Sequence, residues 1–135
     1  MAHRYSRRRR GGFTLMEVLL VLVILVILGS MAGVFIRGAQ KTANANAAQA
    51  QIDLFKNAIE MYQLQMLSYP PTLEALREPT GDLVNWGGPY LDKPVPLDPW
   101  GNPYQYALMG PEEYRIWSWG PDGVDGSADD ISNDF

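Results

Sequence analysis

The chain has 135 residues, no cysteine and a formal net charge of −4. This length suits one small domain with an additional segment, and the lack of thiols excludes disulfides and thiolate metal sites. Residues 37–135 contain six basic and fourteen acidic residues, a formal −8. Because phosphate contacts need clustered Lys and Arg, we predict that this region does not bind nucleic acid.

The first ten positions hold five of the eleven basic residues, namely Arg4 and Arg7–Arg10. A basic run of this kind can act as a nucleic-acid arm. Here it directly precedes an apolar segment, and positive charge in that position is typical of a membrane-topology signal. We therefore expect the N-terminus to stay in the cytoplasm and the C-terminal region to lie on the opposite side of the membrane.

The apolar segment comprises residues 13–36 and carries one formal charge, Glu17. As a helix these residues reach ~36 Å, enough to cross a hydrocarbon core of ~30 Å. A cleavable secretory signal is the alternative, since Ser30-Met31-Ala32 before Gly33 approximately fits the small-residue pattern of a signal-peptide cleavage site. The length of the segment, the glutamate inside it and the continued helical pattern favour a membrane helix.

The carboxylate of Glu17 needs an explanation of its own. A charge within a membrane segment costs roughly 2.5–3.5 kcal/mol on insertion scales, so it usually marks function. A shallow position near the cytoplasmic end would let the carboxylate stay hydrated, but would not explain its presence. We therefore expect the Glu17 carboxylate to serve a function.

Helical periodicity continues beyond the membrane segment. Apolar residues recur at spacings of three and four, which predicts one buried stripe of an amphipathic helix. No proline occurs between Phe13 and Tyr69, so we predict a single helix over 13–67, roughly 80 Å long. Residues 43–50 are Ala, Asn and Gln with small side chains, which suits either close packing of neighbouring helices or simply good helix sequence. The stripe consists of Ala48, Ile52, Phe55, Ile59, Tyr62 and Met66.

Proline and glycine dominate the region that follows. Tyr69-Pro70-Pro71 ends the helix, and residues 72–76 suit a short helix with Thr72 as N-cap. Residues 78–103 are predicted to form an ordered loop. Its three large aromatic residues are interpreted as core anchors, with a ligand platform as the alternative. They are Trp86, Tyr90 and Trp100.

The last third of the chain predicts a β-hairpin. Residues 104–108 and 114–119 are aromatic and β-prone, and residues 109–112 supply a turn between them. The tail after Trp119 is acidic and contains glycine. The expected fold class is α+β: a long N-terminal helix, transmembrane and then amphipathic, packed on a small C-terminal domain of antiparallel β-sheet and loops.

A family resemblance emerges from several motifs taken together. Gly12-Phe13-Thr14-Leu15-Met16-Glu17-Val18 before a long apolar run resembles the processing and membrane motif of type IV pilins and pseudopilins. Tyr69-Pro70, the segment 98–104 and the segment 118–123 follow in the same order as in the major pseudopilins, the G-type core subunits of type II secretion. The resemblance extends from Gly12 to Phe135.

The resemblance implies a pilin-like life cycle. Residues 1–12 would be a leader that a prepilin peptidase removes between Gly12 and Phe13, with methylation of the new amine. Residues 13–36 would first span the inner membrane and then form the filament core. Residues 37–135 would form the periplasmic domain. Glu17 would direct assembly rather than folding, by pairing with the amine of a neighbouring subunit.

The resemblance also implies the assembly in which the chain acts. Copies would polymerise into a helical periplasmic filament, the pseudopilus, that drives protein export. The implied partners are further copies, minor pseudopilins, the prepilin peptidase, the inner-membrane assembly platform and membrane lipid.

Three other classes of protein share some of these sequence features. A type IV pilus major pilin, for adhesion or motility, is the main alternative; such pilins usually carry a C-terminal disulfide loop, which this chain cannot form. A monomeric single-pass anchor would not need a processing motif. An enzyme is not expected, because the single histidine, His3, lies in the leader and no phosphate-binding or dinucleotide motif occurs.

The acidic tail is a candidate calcium loop. It holds four carboxylates within nine residues, from Asp122 to Asp130, and no basic residue. Oxygen donors without Cys or His suit a hard cation such as Ca²⁺, although the spacing is not that of an EF-hand. A solvated acidic tail is the alternative. The resemblance implies a structural calcium held by carboxylates of Asp122, Asp129 and Asp130 and backbone carbonyls of Trp119 and Ser127, with Asp125 not required.

Overall fold

The fold is given by a computed structural model that describes residues 11–82 and 84–134. It consists of a long helix, α1 (Leu15–Met66), and three strands, β1 (Gln105–Gly110), β2 (Glu113–Ser118) and β3 (Ile131–Ser132). Two 3₁₀ turns lie at Glu74–Leu76 and Gly120–Asp122. The predicted long helix, hairpin and α+β class are confirmed. The arginine run of the predicted leader lies outside the described residues.

The chain divides into two compact units, residues 1–39 and 40–135. Within the first unit α1 is apolar and exposed: it includes an 18-residue window with a mean hydropathy of 3.0, none of it buried. The helix begins where the Thr14 hydroxyl accepts a hydrogen bond from the Glu17 amide, 3.2 Å away. This N-cap provides an acceptor for one of the four amide N–H groups that a helix start leaves unpaired.

The core of the second unit forms around the predicted stripe of α1. Ala48, Ile52, Phe55 and Ile59 are completely buried and Tyr62 is nearly so, whereas Met66 is only partly covered. The helix stripe contacts a small set of residues from the loop and the sheet. These are Leu73, Leu76, Tyr104 and Ile116.

The short helix predicted over 72–76 is a 3₁₀ turn, and the predicted cap is wrong. Leu73 occupies the N-cap position, and no side chain caps the turn; the Thr72 carbonyl instead accepts a hydrogen bond from the Ala75 amide at 3.3 Å. Leu73 and Leu76 are both buried in the core. Hydrophobic anchoring of these two leucines therefore fixes the turn.

The sheet is antiparallel with strand order β1-β2-β3. β1 and β2 form the predicted hairpin, with Gln105 opposite Trp117 and Leu108 opposite Tyr114. β3 was not predicted. It pairs Ser132 with Trp117 and Ile131 with Ser118, and it is too short for its periodicity to be read in the sequence.

The predicted aromatic anchors behave differently from one another. Trp86 and Tyr90 pack against the core. The Trp86 indole N–H also donates to the Ala75 carbonyl at 3.3 Å. Trp100 is not among the described residues that pack against the core. It lies in the tight turn after Asp98, where its backbone amide donates to the Asp98 carboxylate at 3.0 Å.

Candidate functional site

The predicted cleavage site lies in an exposed, non-helical segment. Residues 11–14 precede the first turn of α1, and Phe13 is 84% exposed. A Cβ atom at Gly12 would have no neighbour within 4 Å. Nothing described in this chain therefore demands glycine at position 12 for packing, and the Gly12–Phe13 peptide is accessible to another protein.

Glu17 lies in the first turn of α1, where a negative charge interacts favourably with the partial positive charge of the helix N-terminus. The one salt bridge found within residues 11–134 joins Arg115 to Asp134, at 3.0 Å. Glu17 thus has no basic partner in the part of the chain that the structure describes, and its carboxylate is available for a partner elsewhere.

The acidic tail is an ordered loop closed by the sheet. It leaves β2 at Ser118, contains the second 3₁₀ turn and returns at β3. Gly120 has a φ of +68°, and a Cβ atom there would collide with the backbone carbonyl oxygen of Asp129. The loop therefore folds back so that the Trp119–Gly120 segment lies directly against Asp129, which only glycine permits.

The carboxylates of the loop accept local hydrogen bonds. Asp122 Oδ1 accepts from the Val124 amide at 3.0 Å. Asp130 accepts from the Gly126 amide at 2.8 Å and from the Ser127 hydroxyl at 3.2 Å. These contacts stabilise successive turns of the loop.

Asp125 contacts the sheet instead. Its Oδ1 accepts a hydrogen bond from the Trp117 indole N–H at 2.8 Å. The Arg115 guanidinium lies 4.9 Å from the centroid of the same indole ring. Asp125 thus fastens the loop to β2, a role that the sequence pattern did not reveal.

These features can be compared with the needs of a calcium ion. All donors in the loop are oxygens, and the contact of Gly120 with Asp129 brings the two ends of the predicted ligand set together. Within the described residues, no three acidic, His or Cys side chains are positioned as a metal cluster. The donor chemistry fits calcium, and the convergence of Asp122, Asp129 and Asp130 on one ion stays a prediction.

A buried carboxylate supports the base of this loop. Asp98 is 5% exposed. Its Oδ1 accepts from the backbone amides of Trp100 at 3.0 Å and Asn102 at 2.8 Å. Its Oδ2 accepts from the Ser118 hydroxyl at 2.6 Å. The sequence identified Asp98 only as part of a family motif, although an Asp before Pro-Trp-Gly is a turn signal.

Burial and nearby acids also perturb two tyrosines. Burial, followed by the charge of Asp98, raises the pKa of Tyr104 to about 12. Burial, followed by Glu60 and Tyr69, raises the pKa of Tyr114 to about 12. Both hydroxyls therefore remain protonated at neutral pH.

Comparisons with known proteins agree with this geometry. Residues 7–33 match the prokaryotic N-terminal methylation motif, and residues 36–134 match the family of type II secretion system (T2SS) protein G. Proteins named type II secretion system core protein G are 39% identical in Pseudomonas aeruginosa, covering 95% of this chain and 97% of that protein, and 40% identical in Aeromonas hydrophila, covering 95% and 94%.

One solved structure extends the likeness to the fold. The crystal structure of the major pseudopilin from the type 2 secretion system of enterohaemorrhagic Escherichia coli is 31% identical, with a TM-score of 0.61. The match covers 71% of this chain and 87% of that chain. The resemblance to major pseudopilins is confirmed, and the matches favour it over the pilus pilin. The chain is a membrane-anchored structural subunit that belongs to the type II secretion system protein G family, the major pseudopilins.

Proposed function

We propose that the chain is processed by a prepilin peptidase and polymerises into a periplasmic pseudopilus that drives protein export. The observation that carries this proposal is the first part of α1, which is apolar, wholly exposed and headed by a single carboxylate. Such a surface requires cover. Membrane lipid would supply the cover before assembly, and the same segment of other copies would supply it in a filament.

Processing would change the charge of the N-terminus. The five leader arginines favour retention of the N-terminus in the cytoplasm. Cleavage after Gly12 would remove them and so lower the barrier to extraction from the inner membrane. The exposure of Phe13 supports access of the peptidase to this bond.

The new N-terminal amine accounts for Glu17. An amine at Phe13 would lie four residues before Glu17. When helices bundle, a buried charge needs a partner, since removing the partner of a buried pair costs about 3–5 kcal/mol. Glu17 of one copy would pair with the amine of a neighbour and set the axial register between them. Minor pseudopilins and the inner-membrane assembly platform are the remaining proposed partners.

A second proposal is that the loop 119–130 holds a structural calcium ion. Asp122, Asp129 and Asp130 would supply carboxylates, and Trp119 and Ser127 backbone carbonyls. A bound calcium would neutralise repulsion among these carboxylates. The contact of Gly120 with Asp129 favours this assignment, because it joins the two ends of the loop.

Deletion of the gene tests the main proposal. We expect exported proteins to accumulate in the periplasm of the deletion strain and to be released again on complementation with the unaltered chain. Normal export combined with a loss of surface fibres, adhesion or motility would contradict the pseudopilus assignment and would support the pilus alternative.

A further inference from the structure

The buried turn at Asp98 and the acidic loop share one hydrogen-bonded connection. The Ser118 hydroxyl donates to Asp98 Oδ2 at 2.6 Å and accepts from the Gly120 amide at 3.1 Å. Ser118 is completely buried. The three groups form a continuous chain, from a carboxylate through a hydroxyl to a backbone N–H, which we name the Asp98 relay.

The relay fixes the orientation of one peptide plane. The Gly120 N–H and the Trp119 carbonyl belong to the same peptide group, and in a planar trans peptide they point in opposite directions. Because the relay holds the N–H towards Ser118, the Trp119 carbonyl must point away from the buried turn. Gly120 also lies directly against the Asp129 backbone. This contact further restricts rotation of the Trp119–Gly120 peptide.

The relay is itself rigidly held. Asp98 Oδ1 accepts hydrogen bonds from two backbone amides. Two backbone hydrogen bonds also close the turn: the Asp98 amide donates to the Asn102 carbonyl at 2.8 Å, and the Gly101 amide donates to the Asp98 carbonyl at 3.0 Å. These contacts fix the Oδ2 atom that receives the Ser118 hydroxyl. The turn also approaches the far side of the second 3₁₀ turn, since a Cβ atom at Gly123 would lie 3.5 Å from Asn102 Nδ2.

We propose that Asp98 and Ser118 are positioning residues for calcium, acting through the Gly120 amide to aim the Trp119 carbonyl at the ion. This inference rests on the calcium proposal above. Groups that orient a metal ligand from behind contribute strongly to affinity, and their removal typically weakens metal binding 10–100-fold. Neither residue needs to touch the ion.

The test is a calcium titration of the full-length chain in detergent by isothermal titration calorimetry. Ser118→Ala removes both hydrogen bonds of the hydroxyl, and we expect it to weaken the calcium Kd at least about tenfold. Ser118→Thr retains the hydroxyl and should restore most of the affinity. Ser132→Ala is the matched control, because Ser132 is also a buried serine of the sheet but is not part of the relay.

Melting in the presence of a chelator distinguishes positioning from a general loss of stability. A merely structural role of Ser118 would lower the calcium-free melting temperature and leave the Kd unchanged, and that result would overturn the inference. If Ser118→Ala does not fold, Asp98→Asn carries the test, since its amide oxygen can still accept the two turn amides while its NH₂ group no longer accepts from Ser118. An unchanged Kd in Asp98→Asn would then overturn the inference.

Calcium binding by the unaltered chain distinguishes failure of the positioning role from failure of the calcium proposal. If the unaltered chain takes up no calcium, the calcium proposal fails and the relay loses its role. If the unaltered chain binds calcium and the Ser118→Ala chain binds it equally well, the calcium proposal stands and the positioning role alone is wrong.

Discussion

The ring of Phe55, on α1, meets the ring of Tyr104 edge-on, with ring centroids 5.3 Å apart and planes inclined by 77°. Tyr104 immediately precedes β1, so this pair joins the helix to the sheet. Phe55 is completely buried and Tyr104 is 7% exposed. Edge-to-face pairs of this kind contribute beyond the apolar area that they bury.

Phe55→Ala should therefore lower the free energy of unfolding of the C-terminal unit by about 3–5 kcal/mol. Denaturant unfolding of the full-length chain in detergent measures this change. Leu64→Ala is the matched control, since Leu64 lies on the same helix but is 80% exposed. Equal effects of the two substitutions would show that Phe55 does not anchor the core.

Substitution of Gly12 should block processing without disturbing the fold. The family resemblance requires a small residue before the scissile bond, and the surroundings of Gly12 are open. Intact-mass analysis of membrane material should give a chain that starts at N-methyl-Phe13 for the parent and an uncut chain for Gly12→Leu. Gly11→Leu is the control and should be cut. A parent chain that starts at Gly33 would instead indicate ordinary signal peptidase.

Glu17→Ala should prevent filament assembly while the C-terminal unit melts at an unchanged temperature. The carboxylate lies in the first turn of α1, outside the core cluster. Electron microscopy of assembled material and a secretion assay are the measurements, with Glu74→Ala as the control for loss of an exposed acid. Normal filaments and export from the Glu17→Ala chain would rule out the amine-partner account.

Calcium removal should lower the melting temperature of the full-length chain in detergent. Calcium at ~100 times its Kd contributes about 2.7 kcal/mol to stability. Asp122→Ala or Asp129→Ala should abolish the difference between calcium and chelator, whereas Asp92→Ala, an exposed acid outside the loop, should preserve it. Equal melting of the parent in calcium and in chelator would leave an acidic loop without a metal.

Alkaline pH should destabilise the chain through its buried tyrosines. The pKa of Tyr104 is about 12 in the folded state, mainly through burial and then through Asp98, against about 10 in the unfolded chain. The folded state thus binds the proton more tightly. This stabilisation is complete below about pH 10 and is lost as the pH rises through about 12.

The pH dependence can be measured by melting across this range. Tyr104→Phe cannot ionise, so the fall in melting temperature should be shallower in that variant than in the parent. Identical slopes for the two chains would mean that the hydroxyl of Tyr104 does not contribute to the pH dependence.

Long-period patterns were the predictable part of this fold. The stripe from Ala48 to Tyr62 repeats over several helical turns, and α1 buries it as expected. The hairpin was also predicted, but its strands differ from the predicted bounds by one or two residues. The register between the strands shifts between Leu108 and Gly110, and the alternation of apolar and polar residues does not reveal such a shift.

Short-range and long-range contacts escaped prediction for different reasons. β3 has two residues and gains its stability from pairing with β2. A strand this short has no alternation of apolar and polar residues by which the sequence could predict it. Asp98 and Ser118 lie twenty positions apart, and their hydrogen bond depends on how the turn packs beside the sheet. Candidate ligands in the loop were recognisable by residue type, whereas the groups that support them were not.

The closure of the C-terminal loop by β2 and β3 has a consequence for the redox chemistry of the chain. Small domains often fasten such a segment with a disulfide, which needs an oxidising partner to form. This chain has no cysteine, and it fastens the segment with strand pairing and with the Asn133 side chain, which accepts from the Ile116 amide at 2.8 Å. The closure therefore forms and opens without electron transfer, and thiol reductants should leave it intact.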